Sequence, residues 1–99
     1  MIEIGLSALK EQTITVTLAD QPCRMRLVQR ESGMYIDLYK NEVAVALGVP
    51  CLYATKIVRY AYLGFVGDLV FLDIEGQSDP SYDGLGGRFR FYYMEAGDV

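Results

Sequence analysis

The fold class is decided by residues 13–38, which read TITVTLADQPCRMRLVQRESGMYIDL. This stretch contains three segments in which apolar residues occupy every second position, a period typical of half-buried β-strands. The apolar residues are Ile14, Val16 and Leu18, then Cys23, Met25 and Leu27, then Met34, Ile36 and Leu38. Between the segments lie Asp20-Gln21 and Glu31-Ser32-Gly33, whose residue types favour tight turns. The stretch therefore predicts three successive antiparallel strands, and the threonines of the first are expected to face solvent.

The strand pattern continues on both sides of this stretch. Apolar residues at every second position, or throughout, predict further strands at residues 2–6, 43–47, 58–62, 69–74 and 89–93. We expect Gly48-Val49-Pro50 to end the strand at 43–47, because proline has no amide hydrogen to donate to a ladder. Residues 51–57 fit either a helical turn or an irregular crossover, and residues 75–87 form the longest polar loop.

These patterns predict an all-β fold, namely a small antiparallel barrel or sandwich of about seven or eight short strands. The length of 99 residues suits a single domain over residues 1–99. The acidic C-terminal residues 95–99 are expected to form a flexible tail.

Composition excludes several classes of function. The chain has no His, two Cys, 9 Lys+Arg and 13 Asp+Glu, for a net charge of −4. Catalytic pairs that need histidine are impossible, as are zinc sites with His or four Cys ligands. We therefore predict no enzyme activity and no cofactor or metal, and the acidic balance disfavours nucleic acid. Cys23 and Cys51 are expected as reduced thiols in the core.

The acidic loop is the one part of the sequence with several closely spaced carboxylates, as a cation site requires. Its carboxylates are Asp73, Glu75, Asp79 and Asp83, but their spacing is not that of an EF-hand. A solvated turn-rich loop is therefore the preferred interpretation.

Hydrophobic residues make up 52% of the chain, which is a modest excess for so small a domain. Some of this apolar surface must therefore lie outside the core, where it commonly marks a partner surface. No signal peptide and no membrane-spanning run is apparent, so we expect synthesis in the cytoplasm and no membrane partner. The sequence thus favours self-association.

Paired arginines and tyrosines on strand faces are candidate interface residues, because both residue types are enriched at protein interfaces. The candidates are Arg24, Arg26, Tyr35, Tyr39, Tyr60, Tyr62, Arg88, Arg90 and Tyr92. Two other interpretations remain open for them. They fit a solvated sheet face with cross-strand ion pairs, or an OB-like platform for single-stranded nucleic acid.

Four stretches, in order, resemble the baseplate plug family of contractile-tailed bacteriophages. They are MYIDLY at 34–39, RYAYLG at 59–64, GDLVFLD at 67–73 and LGGRFRFYY at 85–93. The resemblance covers nearly the whole chain, and residues 48–57 fit it least well. It implies a small all-β structural protein of the virion, at the central hub at the distal end of the tail tube. The implied partners are further copies, in a three- or six-fold ring, and neighbouring tube, hub or spike proteins.

Overall fold

The computed structural model describes residues 1–98. It contains seven strands: β1 (Ile2–Ile4), β2 (Glu11–Leu18), β3 (Gln21–Arg30), β4 (Gly33–Lys40), β5 (Val43–Pro50), β6 (Asp68–Asp73) and β7 (Phe89–Met94). Two single 3₁₀ turns, Ala61–Leu63 and Tyr82–Gly84, lie in the connections. The strands form two separate antiparallel sheets, with the orders β2-β3-β4-β5 and β1-β7-β6. The all-β prediction is confirmed, and the architecture is a sandwich rather than a closed barrel.

The four-stranded sheet is a meander of three hairpins, of which residues 13–38 predicted the first two. The strand predicted at 43–47 is the fourth, and it continues to Pro50 instead of ending at Gly48. Its first turn lies at Ala19 and Asp20, with φ of 49° and 61°, and its third lies at Asn41 and Glu42, with φ of 51° and 63°. Positive φ at both central residues gives the turn twist that matches the flanking strands. The prediction of a turn at Asp20-Gln21 is wrong by one residue, because Gln21 already pairs with Leu18.

The core lies between the two sheets and is built from alternate residues of the strands. On β4, Met34, Ile36 and Leu38 are buried, whereas Tyr35 and Asp37 between them are only half-buried. The other sheet contributes Phe71 and Phe91, whose rings stack with centroids 4.4 Å apart. Cys23 and Cys51 are buried free thiols. Burial raises the pKa of Cys51 to about 12, so its thiolate is strongly disfavoured.

The strand predicted at residues 58–62 is absent. Residues 51–67 are an irregular crossover between the two sheets, which settles the alternative left open for 51–57. Arg59 has a φ of 71°, and this left-handed backbone conformation interrupts an extended strand. The prediction assumed that Val58, Tyr60 and Tyr62 share one buried face. In the structure only Val58 is buried, and the two tyrosines are exposed on an irregular loop.

The long polar loop lies where it was predicted, between β6 and β7. Its two ends are joined by Arg88, whose Nε and Nη2 donate to Asp73 Oδ1 and Oδ2 at 2.8 and 2.7 Å. Residues 95–98 form a hydrogen-bonded turn, and Val99 of the predicted flexible tail lies outside the described residues. Within residues 1–98, no helix is long and apolar enough to cross a membrane.

Candidate protein interface

The edge strand β5 exposes apolar side chains on both of its faces. Its sequence, Val43–Pro50, contains no charged residue. Val43 is 68% exposed and Leu47 is 57% exposed, whereas the strands inside the sheet bury every second residue. An uncharged apolar strand at a sheet edge is unusual, because free proteins normally protect such edges. The exposure therefore marks β5 as a candidate contact for another protein.

The backbone of β5 is irregular, which limits how a partner can bind it. Its pairing with β4 shifts register twice, between Ile36 and Leu38 and between Leu38 and Tyr39. Gly48 has a φ of 61°, and its N–H donates to Asp37 Oδ1 at 2.7 Å. Bulges of this kind bend an edge and prevent the regular addition of a further strand. A partner would therefore recognise the side chains of β5 rather than its backbone.

Tyr60 and Tyr62 lie beside β5 on the crossover. Their rings stack with centroids 5.5 Å apart and an interplanar angle of 30°. Tyr60 is 55% exposed and Tyr62 is 81% exposed. Exposed aromatic pairs next to apolar surface are typical of protein interfaces. Two of the nine predicted interface residues therefore lie on the same side of the molecule as β5.

The segment that carries these tyrosines is held by a buried carboxylate. Asp68 is 3% exposed and accepts hydrogen bonds from the N–H groups of Val58 and Arg59, each at 2.8 Å. Lys40 Nζ donates to the carbonyl of Gly64 at 2.7 Å and ties the end of the segment to β4. Because the backbone is fixed in this way, little ordering remains to be done when a partner binds the tyrosines.

The second half of β5 and the tyrosine segment line one shallow groove of about 410 Å³, and the exposed Val43 and Leu47 do not line it. We call it the β5–tyrosine surface and define it by Val45, Ala46, Val49, Pro50, Tyr60, Tyr62 and Leu63. Val45, Ala46, Val49 and Leu63 also pack against the core, so the floor of the groove is continuous with the interior. In protein complexes, the side chains of a partner commonly bind in apolar, partly open grooves of this kind.

The predicted arginines and tyrosines of the four-stranded sheet lie on its outer face. Of these, Tyr35 pairs in register with Pro50 at the end of the β5–tyrosine surface. Arg24 Nη2 lies 3.1 Å from Glu42, and its guanidinium carbon is 4.2 Å from the ring centroid of Tyr39. Arg26 Nη2 lies 3.2 Å from Glu11. The hydroxyl of Tyr35 is hydrogen-bonded to that of Ser32 at 2.7 Å. This arrangement is the ion-paired sheet face that the sequence left open as an alternative.

The remaining candidates belong to the other sheet and its loop. Arg90 on β7 lies 3.3 Å from Glu3 on β1, and Tyr92 pairs with Glu3 in the register of the two strands. The Arg88 guanidinium holds the pKa of the Asp73 carboxyl well below its ordinary value. Each of the four predicted arginines is therefore paired with an acidic side chain. These pairs do not favour the alternative in which the arginines bind the phosphates of a nucleic acid.

The nine predicted residues consequently do not form one site. Sequence analysis missed the apolar half of the β5–tyrosine surface, at Val45, Val49 and Leu63. A usable signal was present, since residues 43–50 are the longest strand-like stretch without any charge on either face. It also missed Asp68, because a single acidic residue before a buried strand has no distinctive pattern.

The acidic loop separates its carboxylates instead of gathering them. Asp73 binds Arg88, Asp79 Oδ1 accepts the N–H of Tyr53 at 2.8 Å, and Asp83 accepts the hydroxyl of Ser81 at 2.7 Å. In the part of the chain that the structure describes, no three His, Cys, Asp or Glu side chains are grouped to hold a metal ion.

The chain matches a known protein family. A family model described as cyanophage baseplate Pam3 plug gp18 matches residues 1–96. The chain belongs to this baseplate plug family. It is therefore a structural protein of the phage virion, located in the tail baseplate, and the family is not one of enzymes. No curated protein matches the chain. The resemblance seen in residues 34–93 is confirmed over nearly the whole length of this plug protein.

Proposed function

We propose that this plug protein lies at the hub of the baseplate, at the distal end of the tail tube, and is held there through its β5–tyrosine surface. Its partners are neighbouring tube, hub or spike proteins and further copies of itself. We expect a ring of three or six copies around the tail axis. In such a ring, each copy contacts the next one head to tail, and the contacts close after one full rotation. The chain acts by shape and burial and catalyses no reaction.

The observation that carries this proposal is the exposed apolar edge beside a rigidly held tyrosine pair. A bulged, uncharged strand at a sheet edge exposes surface that a neighbouring protein can cover. Tyrosines are frequent binding hot spots, and their truncation typically weakens an interface by about 2 kcal/mol or more. Because Tyr60 and Tyr62 contact each other and make no core packing, their loss should leave the fold intact.

The test is incorporation of variants into tails. Tyr60→Ser with Tyr62→Ser should reduce the plug content of purified tail particles by about thirtyfold, the equivalent of 2 kcal/mol. The matched control is Ile74→Ser, which changes an exposed apolar residue (59%) at the start of the acidic loop. Circular dichroism and thermal unfolding establish that both variants fold. Equal incorporation of the tyrosine variant and the control would refute a role for the β5–tyrosine surface.

A further inference from the structure

The opposite edge of the four-stranded sheet, β2, is straight and regular. All eight residues of β2 pair with β3 in an unbroken register from Glu11–Val28 to Leu18–Gln21. β2 is the terminal strand of its sheet, so one row of its backbone groups has no neighbouring strand among residues 1–98. Unlike β5, it has no bulge, and it carries no charge from Gln12 to Leu18. Such an edge is a template for the addition of another strand.

The identity of the free backbone groups follows from the hairpin. A two-residue loop closes on a hydrogen-bonded pair, here Leu18 and Gln21, and hydrogen-bonded residues recur at every second position. The carbonyl of Lys10 accepts the N–H of Gln29 at 2.7 Å, in phase with this pattern. Even-numbered residues of β2 thus point their backbone groups at β3. The N–H and C=O groups of Thr13, Thr15 and Thr17 point outward.

We propose that β2 pairs with β2 of a second copy, antiparallel, about a two-fold axis at Thr15. This register places each free threonine of one copy opposite a free threonine of the other, which gives reciprocal hydrogen bonds along the edge. The three exposed threonine side chains then form a cross-strand row of Thr–Thr pairs on the solvent face, a favourable combination. Such a contact closes on itself and covers an edge that would otherwise invite uncontrolled pairing.

The other face of β2 is equally self-complementary. Ile14 and Val16 pack against the core but remain half-exposed, and they line a groove of about 440 Å³ with Ile2 and Ile4 of β1. In the two-fold register, Ile14 lies opposite Val16 of the second copy, so the apolar side chains of both copies extend one continuous layer. The contact therefore reduces apolar exposure on both molecules.

Charges at the ends of the strand fit the same register. Lys10 and Asp20 are both exposed, and the two-fold axis brings Lys10 of one copy near Asp20 of the other at each end. Glu11 of one copy lies opposite Ala19 of the other. The register therefore places no two like charges opposite each other, even though each chain has a net charge of −4. The self-complementarity of sequence and charge favours a second copy over an unrelated strand as the occupant.

This contact is separate from the β5–tyrosine surface, because β2 and β5 are opposite edges of the sheet. A single strand pairing is smaller than the roughly 1,200 Å² that stable interfaces bury, so we expect a dimer that forms only at micromolar or higher concentration. It goes beyond the proposed hub role, and its failure would leave that role standing.

Disulfide trapping tests the register. In the two-fold pair, position 15 meets its own copy with Cα atoms about 5.5 Å apart, within disulfide range. Thr15→Cys should therefore form a covalent dimer under mild oxidation. Thr13→Cys and Thr17→Cys should each remain monomeric alone but cross-link when mixed, because position 13 meets position 17 of the other copy. Cross-linking of all three variants alike, or of none, would overturn the register.

Charge substitution supplies a second test that needs no cysteine. Thr13→Lys with Thr17→Lys places like charges opposite each other twice, whereas Thr13→Lys with Thr17→Glu places opposite charges there. Sedimentation of the two variants should show dimer dissociation constants about tenfold apart, with the mixed-charge variant the tighter. Equal dissociation constants, a monomer at millimolar concentration, or a wild-type trimer would each overturn the two-fold contact. A trimer that the tyrosine variant abolishes would still support the proposed function.

Discussion

Replacing Asp68 with alanine should destabilise the fold by about 3–5 kcal/mol. The carboxylate accepts two backbone hydrogen bonds from the crossover, from Val58 and Arg59, each at 2.8 Å. Hydrogen bonds to a charged group contribute about 1.5–3 kcal/mol each, and removing the acceptor leaves the amide of the buried Val58 without a partner. The same change should release the segment that holds Tyr60 and Tyr62, so tail incorporation should also fall.

Urea unfolding followed by circular dichroism measures this effect, provided that the slope against denaturant is unchanged. Asp68→Asn retains one carbonyl acceptor and should give an intermediate loss of stability. The control is Asp83→Asn, which alters an exposed carboxylate bonded only to a serine hydroxyl and should change stability by less than about 0.5 kcal/mol. A loss of less than about 1 kcal/mol for Asp68→Ala would refute the idea that this carboxylate fixes the crossover.

Three further outcomes are expected. Gly67→Ala should destabilise the protein by about 3 kcal/mol in the same unfolding assay. The reason is that Gly67 has a φ of 84° and an added Cβ would overlap the carbonyl oxygen of Met94. The control, Gly5→Ala, adds a Cβ in open space and should leave stability unchanged. The pKa of Asp73 lies below its ordinary value of 3.8, so its contribution to stability is fully present above that pH and is lost as the pH falls further. The melting temperature should therefore drop below pH 4, and Asp73→Asn should flatten that drop; an unchanged profile would contradict the role of this ion pair. Cys51 should resist alkylation at pH 8 until the protein unfolds, because burial raises the pKa of its thiol to about 12; rapid labelling of the native protein would contradict this.

The meander was predictable because its information is local. Strands β2, β3 and β4 follow one another through short turns, so the period of two in residues 13–38 determines both the strands and their buried faces. The solvent-facing threonines of β2 are confirmed on this basis. Even the turn error at Asp20-Gln21 is a shift of one residue, since Ala19 adopts a positive φ that its residue type does not indicate.

The crossover was not predictable, because its conformation depends on contacts that are distant in sequence. Residues 58–62 alternate like a strand, yet the Asp68 carboxylate holds the backbone of Val58 and Arg59 in an irregular conformation. The side chain of buried Gln21 likewise hydrogen-bonds to both the N–H and the carbonyl of Val66, which is 45 residues away in the sequence. No periodicity in a single segment encodes such long-range hydrogen bonds.

The candidate site was only half predictable for a related reason. Alternation correctly places arginines and tyrosines on outer faces, but the acidic partners of Arg24, Arg26 and Arg90 come from other strands or turns. Which strands are edges depends on sheet order, and a sequence pattern does not contain that order. The exposure of β5, on which the proposed function rests, therefore became visible only in the folded sandwich.

Hydroxyl-radical footprinting of the unmodified plug tests the central claim most directly. The oxidation rates of Tyr60 and Tyr62 are measured by mass spectrometry in the free protein and in intact tail particles. Because both rings are more than half exposed in the single chain, burial by a neighbour should slow their oxidation about tenfold in the particle, while exposed Ile74 keeps its rate. Unchanged oxidation of both tyrosines in the tail would contradict assembly through the β5–tyrosine surface.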